Sequence, residues 1–165
     1  MFLDDEAIEL MLARSTFLVP TLVAPIGVIE QAEQKGTMPE YGLRKARETL
    51  EAHQESISRA IAAGVKVAMG TDAAVVPHGT NLRELGLMVQ SGMTPMQAIV
   101  SSTSVAAACL RWDDRVGSLA PGKLADVLIV DGDPLADIRI LERPERIALV
   151  MKGGKIEVDR RSEAV

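Results

Sequence analysis

One carboxylate and two imidazoles are the groups in this sequence best suited to do chemistry: Asp72, His78 and His53. Asp72 stands in "MGTDAAVVPHG" (69–79), directly after an apolar stretch, and His78 follows six positions on. Two imidazoles and a carboxylate are a known catalytic zinc set that leaves a position for water. Water held that way ionises near neutral pH and attacks a carbonyl or phosphoryl centre. The chemistry would be metal-dependent hydrolysis of an amide, ester or phosphoester. Asp72 would be ligand and proton acceptor, His78 a ligand beside it in the catalytic pair, and His53 a third ligand. Sequence spacing does not enforce that geometry, and each residue has a plainer role open to it. Asp72 can cap the turn after its strand, His78 can be an inert exposed loop histidine, and His53 can be a satisfied core histidine. Asp4, Asp5 and Glu84 could stand behind such a site as supporting carboxylates.

Other chemistries find less footing. There is no G-x-S-x-G motif, and Cys109 has no histidine near it in sequence. Gly153-Gly154 reads as a turn, not a phosphate loop. A net charge of −5 without any Lys/Arg run argues against nucleic acid as a partner. No apolar run approaches the roughly 20 residues of a membrane span, and "MFLDDEAIEL" has acid where a signal peptide would be basic. One cysteine cannot form an internal disulfide, and in its Ala-rich setting Cys109 reads as a buried structural thiol in a reducing compartment. The expectation is a soluble cytoplasmic protein acting on a small molecule.

The elements that must position these groups follow an α/β pattern. At 165 residues and 47% hydrophobic content, the chain suits one domain with a real core, or one domain and a small appendage. That core must be aliphatic, because aromatic residues make up 2%. Asp4 and Asp5 can cap a short helix with Ile8, Met11 and Leu12 on one face. "STFLVPTLV" (15–23) reads as a buried parallel strand that ends near Pro20. After Gly36 and Pro39, residues 40–64 read as a long helix with Leu43, Ala46, Leu50, His53, Ile57 and Ile61 on one stripe, ended by Gly64. "VKVAM" (65–69) is then the next strand, giving a strand–helix–strand crossover. Residues 81–92 make another helix. Thr94-Pro95-Met96-Gln97 is a helix start, with the helix running from Pro95 to about Leu110. From Arg115 the pattern turns to strands: Asp126–Val130, and residues 147–158 folded around Gly153-Gly154, expected to pair antiparallel.

Two segments, "VKVAMGTDAAVVPHGTNLRELGLMVQSGMTPMQAI" and "VGSLAPGKLADVLIVDGDPL", resemble the C-terminal portion of the amidohydrolase superfamily. The likeness is to its imidazolonepropionase-like and Xaa-Pro dipeptidase-like metal-dependent hydrolases. It rests on GTD, the Thr-Pro-capped helix and G-x-L-x-P-G-x-x-A-D in that order, and runs over nearly the whole chain. It implies a (β/α)₈ barrel with a small β-sandwich. Residues 1–114 would be a partial barrel segment holding the seventh and eighth strands, and 115–165 would be sandwich strands. It also implies that Asp72 is the carboxylate at the end of the eighth strand, which binds a divalent metal and handles the proton of the attacking water. His78 would lie on the active-site face. The family's His-x-His pair, bridging lysine and two later histidines would fall upstream of Met1. The expected fold is therefore a truncated barrel, since a whole one takes about 250 residues.

Two barrel strands without neighbours leave unpaired edges and an apolar face. Self-association, most simply as a homodimer, would cover them and bring two copies of Asp72, His78 and His53 together. Two rival readings stand beside this one: a non-catalytic remnant or assembly module, and the C-terminal half of a split amidohydrolase.

Overall fold

Two short parallel strands hold the centre of the structure, a computed structural model that describes residues 3–161. Strand β1 (Phe17–Leu18) pairs in parallel with β2 (Lys66–Val67), Phe17 opposite Lys66 and Leu18 opposite Val67. The Ala68 N–H extends the ladder to the Leu18 carbonyl at 2.9 Å. Pairing stops there because Pro20 has no N–H to donate and Thr21 turns the chain with φ 52°. Leu18 and Val67 are both buried.

Helices pack around this pair. Ahead of β1 lies α1 (Asp5–Ala13), capped by Asp4, whose carboxylate accepts from the Ala7 N–H at 2.8 Å. Between the strands run α2 (Val23–Lys35) and α3 (Glu40–Ala62). The sequence pattern assigned no element to α2, which holds Pro25 and Gly27. Pro25 is tolerated because it falls in the first turn, where its missing N–H would have no partner anyway. Gly27 is needed because a Cβ there would collide with Val76. The expected stripe of α3 is buried only at His53 and Ile57, whereas Leu43, Ala46, Leu50 and Ile61 are half-buried.

After β2 come α4 (Arg83–Gln90), α5 (Pro95–Ser102) and α6 (Ser104–Cys109). Thr94 and Gln97 form the full reciprocal cap of α5, with bonds of 2.8 and 3.2 Å. The single helix expected from Pro95 to about Leu110 is in fact two, broken at Thr103 (φ −118°, ψ −95°). Ser101 to Ser104 all carry hydroxyls, and such side chains compete for backbone carbonyls. Thr103 Oγ1 and Ser102 Oγ both donate to the Ile99 carbonyl, and the Ser101 carbonyl accepts from Met69 at the end of β2. Cys109, expected to be buried, is only partly so.

The last part is a three-stranded antiparallel sheet, β3 (Val127–Val130), β4 (Ile147–Lys152) and β5 (Lys155–Asp159), in that spatial order. Val127 faces Met151, and Lys152 faces Lys155 across the hairpin. Gly153 and Gly154 both have positive φ (57° and 84°), which is what a two-residue hairpin loop demands. The antiparallel pairing read from the sequence is therefore present. One aliphatic core joins both parts: Leu22, Val23, Ile57, Leu85 and Met88 share a buried cluster with Ile138 and Ile147. Tyr41 and Trp112 stay outside it, largely exposed. Residues 1–2 and 162–165, the last being the tail of the expected sandwich segment, lie outside the described residues. Among the described residues no helix is long and apolar enough to cross a membrane.

Candidate functional site

Both parallel strands run toward one end of the sheet, and the segments leaving it there carry the candidate chemistry. Beyond β1 the chain turns at Pro20-Thr21 into α2; beyond β2 it enters the loop 70–82. Gly70 opens that loop because Val19, just past β1, occupies the space a side chain would need. Asp72 follows with a left-handed backbone, φ 50°, a conformation that aspartate tolerates better than most residues. Short bonds close the loop on itself: Val75 N–H to the Asp72 carbonyl at 3.1 Å, Ala74 N–H to Val76 at 3.3 Å, and Thr80 Oγ1 to Pro77 at 2.7 Å.

The Asp72 and His78 side chains are both exposed, and neither makes a hydrogen bond or ion pair to another described residue. The turn-capping role open to Asp72 is thus not taken by its carboxylate. His53 is in a different state. It is buried on α3, and its Nε2 lies 3.2 Å from the Pro20 carbonyl, which can only accept, so that nitrogen carries the proton. His53 pins the turn after β1 to α3, as a satisfied core histidine does. It also lines an apolar cavity of about 770 Å³ between α2 and α3, with Thr21, Val28, Tyr41 and Leu50, where no carboxylate is present.

Among the described residues no three His, Cys, Asp or Glu side chains gather closely enough to hold a metal ion. Asp72, His78 and His53 therefore do not form a ligand set within one chain, and the residues present do not by themselves fit the divalent metal that the sequence suggested. The supporting carboxylates are also occupied elsewhere. Asp4 caps α1, and Asp5 pairs with Arg59 at 2.9 Å.

Glu84 has a role that sequence reading missed. It is fully buried, and its two oxygens accept from Leu22 N–H at 2.8 Å and Val23 N–H at 2.7 Å. Burial raises its carboxyl above the ordinary value, while the two backbone N–H groups pull it back down. No local pattern could have revealed this, because those amides lie 61 and 62 residues away in sequence. Its neighbour Arg83 makes a two-bond pair with Glu30 of α2, at 2.6 and 2.8 Å, which lowers the Glu30 carboxyl.

Compared with known proteins, residues 2–156 match the Amidohydrolase family. Ochratoxinase from Aspergillus niger is 32% identical over 157 residues, which cover 94% of this chain and 32% of the relative. The crystal structure of A. niger ochratoxinase superposes with a TM-score of 0.81, covering 96% of this chain and 36% of that one. A crystal structure of a Xaa-Pro dipeptidase with methionine bound in its active site gives 0.83 at 40% identity, covering 93% of this chain and 37% of that one. Imidazolonepropionase from Geobacillus kaustophilus is 35% identical over 106 residues, 61% of this chain and 24% of the relative. The chain spans about a third of the length of the first two relatives. The motifs around Gly70-Thr71-Asp72 and Gly117–Asp126, the fold, and these similarities agree: the chain belongs to the amidohydrolase family.

Proposed function

We propose that this chain forms the C-terminal part of an amidohydrolase-type (β/α)₈ barrel with a β-sandwich portion, and that it serves hydrolysis of an amide, ester or phosphoester. The amide bond is the first candidate, from the likeness to a Xaa-Pro dipeptidase. One observation carries the reading. Asp72 presents an exposed carboxylate, engaged with no described residue, beyond the end of a parallel strand. In parallel α/β structures that end is where reacting groups gather. Asp72 would take the proton of the attacking water, and His78, on the same loop, would be its nearest titratable companion in sequence.

The described residues do not complete a metal site. If a divalent ion, zinc first, is used, Asp72 and His78 would be donors here and the rest would come from outside the described residues. His53 would have to release Pro20 before joining them. A specific observation favours the non-catalytic reading as the alternative: among the described residues β1 and β2 form a two-stranded sheet, so each keeps an outer edge that an assembly partner could pair. The same edges would suit the separate half of a split amidohydrolase.

The test is metal analysis of the purified protein, with hydrolysis of an Xaa-Pro dipeptide, an N-acyl amino acid, an activated ester and a phosphotriester, before and after chelation. Chelator-sensitive turnover that Asp72→Asn abolishes would support the hydrolase reading. Absence of metal and of turnover on all four substrates would leave the assembly reading in its place.

A further inference from the structure

The loop 70–82 is fastened along its length while the Asp72 side chain is left free. At its start, Gly70 sits against Val19, just past β1. In its middle, Gln31 of α2 donates to the Val75 carbonyl at 3.1 Å, and Val76 packs into the space that Gly27 leaves open. At its end, α4 begins, and Arg83 and Glu84 both grip α2.

Of these fastenings, Glu84 is the one whose chemistry is hardest to explain by stability alone. The first N–H groups of a helix need partners from outside it. Leu22, at the cap position of α2, has no side chain that could serve, and nothing local replaces it. Glu84 supplies both missing acceptors from the first turn of α4. A capping side chain at position 22 would reach the amides further into the helix, not those of Leu22 and Val23, so these two need an acceptor from a distant element. Burying an acidic group is costly, and a buried ionic or polar group is retained most clearly where it fixes one arrangement over others. The arrangement fixed here is the position of the loop's exit relative to the turn after β1.

We propose that Glu84 is a positioning residue: by accepting the Leu22 and Val23 amides it locks the Asp72 loop to α2 and sets where the Asp72 carboxylate stands. Its bearing on catalysis rests on the reading of Asp72 given above, but the lock itself does not.

Hydrogen–deuterium exchange on the purified chain separates the two. Glu84→Gln keeps the size of the side chain but offers one acceptor where two are needed. Amides of residues 70–82, with Leu22 and Val23, should then exchange roughly tenfold faster, the effect of leaving a buried donor unsatisfied. The β4–β5 hairpin should be unchanged. Leu149→Ala is the comparison: it weakens the core of the hairpin and should not loosen 70–82 selectively. Exchange at 70–82 in Glu84→Gln equal to wild type, or raised only in step with the hairpin, overturns the proposal. If Glu84→Gln does not fold, the wild type still decides, because Leu22 and Val23 amides exchanging as fast as exposed ones overturn it too. A selective loosening in a protein with no hydrolase activity would uphold the lock and remove the hydrolase reading. Activity that Asp72→Asn abolishes but Glu84→Gln leaves at full kcat, with the loop unmoved, would do the reverse.

Discussion

Asp72 and Glu84 stand at the two ends of one loop in opposite environments, and their substitutions should behave oppositely. Asp72 is exposed and has no described partner, so Asp72→Asn should change stability by no more than about 0.5 kcal/mol while removing whatever turnover the protein has. Chemical denaturation beside an activity assay checks both halves. For Glu84 the readable quantity is pH. Its carboxyl is raised by burial above the ordinary 4.5, so its contribution to stability is full below that value and is lost as pH rises through the folded value. The melting temperature of wild type relative to Glu84→Gln should therefore fall as pH rises above 4.5. Glu30, lowered by Arg83, carries the reverse sign: its contribution is present above 4.5 and lost as pH falls through the folded value. An Arg83→Gln series would isolate that half. The place of Asp72, in a turn just beyond a strand, was legible in the sequence because a glycine-led turn after an apolar run is a local signal. For His53 the helical stripe predicted burial and left a satisfied core histidine open beside the ligand reading, and only the fold placed the Pro20 carbonyl against its ring.

At the scale of elements, what could be read was what is encoded within a few residues. The Thr94–Gln97 cap is complete within one turn, and it formed as the sequence indicated. Thr94→Ala should cost about 1 kcal/mol, seen as a lower denaturation midpoint with an unchanged slope. The Gly153-Gly154 hairpin is local in the same way, and β4 and β5 turn there. Elements decided by distant contacts were not legible. Helix α2 has a glycine that looks like a breaker until Val76, far along the chain, is seen to fill its place. The helix after Pro95 looked continuous because Ala-rich periodicity carries through Thr103. Its break depends on hydroxyls turning back to the Ile99 carbonyl and on Met69 claiming the Ser101 carbonyl. The long α3 stripe was over-read in extent, since only His53 and Ile57 of its six residues are fully covered in the described structure.

For the molecule as a whole, surface area tells more than any motif. A compact monomer of 17.7 kDa is expected to expose about 7,900 Å², whereas this chain exposes 10228 Å². The surplus, about 2,300 Å² on one chain, would amount to about 4,600 Å² in total if two copies covered it, within the range of obligate homodimers. Large apolar side chains lie open beside a strand that is paired on one edge only. Leu128 and Ile129 on the edge strand β3 are 45% and 42% exposed, and Leu110 and Leu119 beside them are 70% and 76% exposed. Leu110, Leu119 and Leu128 border a cavity of about 650 Å³ that Leu82 and Leu85 also line. An apolar patch of that kind beside an open edge marks an interaction surface, and a second copy of the chain is the partner always present. The expected outcome is a homodimer at micromolar concentration, seen by light scattering. The double substitution Leu110→Lys with Leu119→Lys should shift it toward monomer, because two charges would then have to be buried without partners. A wild type that stays monomeric and well folded across that range would mean that this surface is tolerated in water. The residues missing from Asp72's surroundings could not then come from a second copy.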